Sequence, residues 1–152
     1  MSISRESKGS IVLKIIIVLL MAVLVYVIYE PYQIQAQEEA YRSESRLRML
    51  NIRAAQLQYI GQNGRYSSSL DSLITFIQTL PDSTRAEAFV PLTTGTFVPE
   101  SLQRAPKSDR AYVLLAVDTS AIKKYLLEDP DGYGSIGSLT DDSRVNKASW
   151  ED

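Results

Sequence analysis

The sequence predicts an α+β chain built on one long N-terminal helix: a transmembrane segment that continues into a small soluble head with a short helix and a small antiparallel sheet. Three observations predict it. Residues 11–29 read IVLKIIIVLLMAVLVYVIY, apolar throughout except for one lysine. Small and apolar residues then recur at alternating spacings of four and three from Ala36 to Leu57, the period of a helix face. Beyond Gly64 come a second, shorter helical pattern and an apolar run, AYVLLAV, at Ala111–Val117. A chain of 152 residues has room for one span and one small core, and not for a second.

The first segment has the length of a membrane crossing. Nineteen residues make about 28 Å of helix, close to the thickness of a bilayer's hydrocarbon core. Lys14 lies one turn inside the start, where its ammonium reaches the headgroups; at mid-span it would cost about 3 kcal/mol or more. Tyr26, Tyr29 and Tyr32 gather at the far end, where amphipathic rings suit the interface. Arg5, Lys8 and Lys14 precede the span and Glu30, Glu38 and Glu39 follow it. The positive-inside rule therefore sets the N-terminus in the cytoplasm. The expected organisation is a cytoplasmic leader at 1–10, a transmembrane helix at 11–30, a periplasmic extension of that helix at 31–62, and a head with a loop-rich acidic C-terminus at 63–152. A cleaved secretory signal is the main alternative, but its apolar region is shorter and ends in small residues, whereas Val27-Ile28-Tyr29-Glu30-Pro31 is bulky. A buried core helix is the other.

After Pro31, which is expected to bend the helix without ending it, Ala36, Ala40, Ser43, Leu47, Leu50, Ala54 and Leu57 form one stripe. Ile52, Ala55, Tyr59 and Ile60 widen the apolar face toward the far end, where a head would pack. Glu38, Glu39, Arg42, Glu44, Arg46, Arg48 and Arg53 read as a solvated face, with Arg48 four residues after Glu44. Gly61, Asn63 and Gly64 stop the helix. Ser68 or Ser69 caps a second helix that carries Leu70, Leu73, Ile74 and Ile77 on one face and ends at Pro81. Phe89–Val98, broken by Pro91 and Gly95, reads as an edge hairpin. Ala111–Val117 reads as a strand covered on both faces. Thr119 or Ser120 reads as the cap of a short helix, and the glycine- and aspartate-rich stretch from Asp129 as irregular loop with at most one short edge strand.

Composition narrows the function. The chain has no histidine and no cysteine, so the commonest general base, the usual zinc ligand and a thiolate nucleophile are all missing. Its net charge of -2 lacks the basic footprint of a nucleic-acid binder. Catalysis is not expected. Ser120 and Lys123 have the bare spacing of a Ser-Lys dyad without companion motifs, and surface lysines are the simpler reading. Trp150, with Tyr133 and Tyr125, is either an exposed ligand platform or, more simply, part of the core.

Gly9 before an apolar helix, Pro31 twenty-second after it and Tyr32 next, together with Ala54-Ala55-Gln56-Leu57-Gln58-Tyr59, Asn63-Gly64-Arg65-Tyr66 and Leu70-Asp71-Ser72-Leu73, resemble type IV pilins and type II secretion pseudopilins. The resemblance covers roughly residues 9–75. It implies leader cleavage between Gly9 and Ser10 with methylation of the new amine, and a non-enzymatic filament or secretion subunit in the bacterial inner membrane. It also implies that the head is periplasmic or extracellular. The partners implied are copies of the chain or related subunits, met through Ala36, Ala40 and Ser43, and inner-membrane assembly platform proteins. Two positions depart from the family: Ser10 stands for its phenylalanine and Lys14 for its assembly glutamate. The alternative is a permanently anchored accessory component of an envelope complex, in which Lys14 pairs with a partner's membrane helix. Asp129 and Asp131, among glycine-supported carbonyls, are candidate calcium ligands, as in the C-terminal loop of major pseudopilins. The competing reading is an acidic surface turn, and no other cofactor is implied.

Overall fold

The computed structural model describes residues 8–151. Helix α1 spans Lys8–Asn63 and passes through Pro31 without ending. It stops as its sequence dictates: Gly64 takes the left-handed conformation (φ 68°), and its N–H closes on Ile60 O at 2.8 Å. Lys123 Nζ donates to the Gly64 carbonyl. Two compact units divide the chain, the first ending at Ala40 and the second comprising Tyr41–Asp152, so the distal part of α1 belongs to the head.

Helix α2, Leu70–Thr79, is capped by Ser69, whose Oγ accepts from Ser72 N–H at 3.4 Å, and it buries Leu73 and Ile77. A third helix, α3, Asp82–Ala88, follows directly on Pro81. Pro81 both ends α2 and caps α3, and because α3 buries no residue it has no apolar period to betray it.

The sheet has three antiparallel strands in the order β1 (Val113–Val117), β2 (Lys124–Glu128) and β3 (Ser135–Gly137). Leu115 faces Leu126, Leu114 faces Leu127, and Leu127 faces Ile136. The core joins Met49, Ile52 and Ala55 of α1 to Leu73, Ile77, Leu102, Tyr125, Leu127 and Ile136.

Four expectations are corrected. Strand β1 is an edge, not a covered strand: Val113 and Leu115 are 43% and 47% exposed, and only Leu114 between them is buried. No helix follows Ser120. Its Oγ donates to Ile122 O in a turn, and Lys124 already belongs to β2. Phe89–Val98 forms no strand, because its backbone is taken by α1: Asn51 holds Val90 and Glu44 holds Thr93, while Phe89 stacks on Phe97 at 4.6 Å. Finally, the face of α1 that enters the head is only partly the expected one: Ile52 and Ala55 are buried and Tyr59 and Ile60 pack against the core as expected, but polar side chains share this face. The fully buried side chains are Ser45, Met49, Asn51, Ile52, Ala55 and Gln56, with Glu44 beside them at 7% exposure. Leu47, Leu50 and Ala54 sit at the margin, and Leu57 is 47% exposed.

Candidate functional site

The candidate residues fall in two regions. In the first, α1 is the one helix among the described residues that is long and apolar enough to cross a membrane, judged by length and composition. Its apolar side chains from Ile11 to Ile28 are exposed all round, which is the distribution a lipid environment requires and water does not favour. Lys14 is the charge inside this apolar run and Pro31 follows its end. Ala36 and Ala40 are exposed, as is Ser43 just inside the second unit. The greater part of the predicted leader, residues 1–7, lies outside the described residues; Gly9 and Ser10 fall in the first turns of α1.

In the second unit, α1 grips irregular chain with polar side chains. Asn51 accepts from Val90 N–H at 2.8 Å and donates to Val90 O at 2.9 Å. Gln56 repeats the arrangement on Ser67, accepting at 2.9 Å and donating at 2.7 Å. Each amide pairs with one residue's N–H and C=O as a neighbouring strand would, so segments that belong to no sheet keep their buried backbone satisfied. Arg48 Nη1 donates to Ser101 O (3.0 Å) and Arg104 O (2.7 Å), while its Nε donates to Glu44 at 3.0 Å. Arg46 Nε donates to Tyr133 O at 3.2 Å and Arg53 Nη1 to Asn146 O at 3.1 Å. The predicted Glu44–Arg48 pairing is present, but Glu44, Arg48 and Arg53 belong to this grip and not to a solvated face.

Glu44 is the charged centre of the grip. Burial works to raise its carboxyl, but the Thr93 hydroxyl and N–H and the Arg48 guanidinium outweigh burial and hold it below the usual glutamate value. A depressed carboxyl contributes stability that is complete above its unfolded value and is lost as pH falls through the lower folded value. Glu44→Gln is expected to lower stability by about 2 kcal/mol near neutrality. The gap to the wild type should close on acidification below the ordinary glutamate range. Melting curves of both chains from pH 7 to pH 3 check this; a gap that stays constant with pH would show that the charge is not what matters.

The calcium candidates are already engaged by the protein. Asp129 accepts from the Ser45 hydroxyl and from Asp131 N–H (2.5 Å), and Ser45 Oγ also meets Tyr112 Oη at 2.8 Å. Asp131 accepts from Ser108 N–H (3.2 Å) and from Arg110 Nη2 (3.1 Å), and that guanidinium nitrogen also donates to Pro130 O at 2.5 Å. Burial acts to raise the Asp131 carboxyl, and the Ser108 and Arg110 bonds outweigh it to hold it low. The loop's carboxylate and carbonyl thus face a guanidinium, and among the described residues no three Asp, Glu, His or Cys stand together as a metal site. This donor set fits arginine and not calcium.

Ser120 and Lys123 do not meet, since their polar atoms are spent on Ile122 O and Gly64 O. Trp150 packs, partly buried, against the core with the Arg46 guanidinium 4.9 Å above its ring. Sequence reasoning gave Asn51 no role and Gln56 only a place in the family resemblance. Their signal was present: Glu44, Ser45, Arg48, Asn51, Ala55 and Gln56 repeat at helical spacing around Met49 and Ile52. Comparison with protein-family models, with curated proteins and with solved structures finds no match to this chain.

Proposed function

We propose that the chain is a non-enzymatic, membrane-anchored assembly subunit of a pilus-like or pseudopilus-like apparatus. The observation that carries the reading is α1 itself: one helix runs from an apolar, membrane-length segment through Pro31 into the head, which is built around its distal turns. The register of Gly9 and Pro31 supports it, as does a small antiparallel sheet in the head. In this reading the N-terminus is cytoplasmic, the head is extracytoplasmic, and subunits associate through the apolar helix and through Ala36, Ala40 and Ser43. Work done on the helix then reaches the head through directional bonds from Glu44, Arg48, Asn51 and Gln56, which resist sliding better than apolar contact alone. The driving ATPase and assembly platform are separate proteins.

The test is the intact mass and N-terminal sequence of the native protein recovered from membranes. A start at Ser10, with a methylated amine, is the expected result. A start at Met1 overturns processing and favours the second reading, a permanently anchored accessory component. One observation recommends that reading: Lys14 puts a positive charge in the apolar segment, and an ionisable group there calls for a partner.

A further inference from the structure

Residues 147–149 run along the outer edge of β3. Ile136 faces Ala148, Ser149 N–H donates to Ser135 O at 2.8 Å, Gly137 N–H to Lys147 O at 2.9 Å, and Ser135 N–H to Ser149 Oγ at 3.0 Å. Ala148 of this pair is fully buried in the core, Val145 and Trp150 pack against that core, and the remaining fastenings act from outside. The Trp150 ring lies on Gly134, where an added Cβ would fall 2.5 Å from it, and beneath Arg46. Glu151 receives Arg53 Nη1 at 2.9 and 3.0 Å in a pair whose side chains are 24% and 40% exposed.

Two features oppose these fastenings. Asn146 enters the segment in the left-handed conformation, φ 68°. Two buried side-chain atoms among the described residues lack a hydrogen-bond partner, Asn146 Oδ1 in this segment and Tyr125 Oη in β2; Asn146 Nδ2 meanwhile donates to Tyr66 Oη at 3.1 Å. A buried polar atom without a partner is unfavourable, and opening relieves it by admitting water. The contrast with the rest of the sheet is large, for β1 and β2 pair at five positions over buried Leu114, Tyr125 and Leu127.

We infer that Val145–Glu151 is a strap that opens as a unit while the rest of the head stays folded, baring the Ser135–Gly137 edge. The bared edge presents the N–H and C=O groups that the strap had paired. The strap therefore decides whether this side of the sheet is closed or available. Local openings of this kind are separated from global unfolding by amide exchange.

The experiment is native-state hydrogen exchange on the full chain in detergent micelles, with and without Glu151→Ala. The Gly137 and Ser149 amides, donors in the strap pairing, are expected to exchange about 100-fold faster than the slowest β1–β2 amides, at rates insensitive to low denaturant. In E151A these two should accelerate about tenfold further while the β1–β2 amides do not change. Exchange of Gly137 and Ser149 at the rate of the slowest amides overturns the inference. So does an E151A chain in which these two do not accelerate relative to β1–β2.

Discussion

Gln56→Leu is expected to destabilise the head by about 2–5 kcal/mol, although it replaces a polar side chain by an apolar one of similar size in a buried position. Gln56 is fully buried and Ser67 is 5% exposed. The glutamine amide is the partner of both Ser67 N–H and Ser67 O. Leucine fills the space but answers neither group, and each buried backbone group left unpaired costs about 1–3 kcal/mol. The gain from burying more apolar surface is smaller than this pair of losses, because the position is already enclosed. Urea unfolding of the full chain, followed by Trp150 fluorescence, reads the effect as a fall in midpoint with an unchanged slope. Gln62, exposed six residues further along α1, supplies the control: Gln62→Leu should shift stability by less than about 0.5 kcal/mol. A Q56L chain as stable as that control would mean that water reaches Ser67 and that the clasp is not structural.

The same clasp explains which parts of the fold were legible. Length, period and stop signals act locally, so the membrane-length run, the helix ending at Gly64 and the Ser69 cap could be read directly from residue order. The face of α1 that enters the head could be read only in part, through Ile52, Ala55, Tyr59 and Ile60. The stripe of Leu47, Leu50, Ala54 and Leu57 is the natural choice if helices bury apolar surface alone, but this helix buries Asn51 and Gln56 because loops elsewhere need their amides. Those needs arise from residues 67 and 90, which lie outside α1, 11 and 39 residues beyond the side chains that answer them. The absent strand at 89–98 is the same fact from the other side: a segment rich in strand formers stays irregular once α1 has taken its backbone groups. Strand β2 was obscured for a different reason. KYLLE is short, starts with lysine and follows a plausible helix cap, so only its pairing with Leu114 and Ile136 decides its form. The calcium reading failed because composition shows Asp129 and Asp131 but not that Ser45 and Arg110 arrive from distant elements to occupy them.

Lys14→Leu is expected to separate the two functional readings, because they assign the lysine opposite energetic roles. In an accessory component, Lys14 neutralises a carboxylate in a partner's membrane helix. Removing the ammonium then leaves that carboxylate unpaired in a medium of low dielectric, at a cost of about 2–5 kcal/mol. The complex would weaken about 30-fold or more and fail to survive affinity purification from solubilised membranes. Lys14→Arg, which keeps the charge within the same reach, should retain the partner. In a filament subunit, Lys14 instead snorkels to the headgroups, and leucine lengthens the apolar run without loss, so subunits continue to crosslink to one another at wild-type levels. Retention of every co-purifying protein by K14L would therefore sink the accessory reading. Loss of partners in K14L, with recovery in K14R, would make the charge the chain's principal point of recognition.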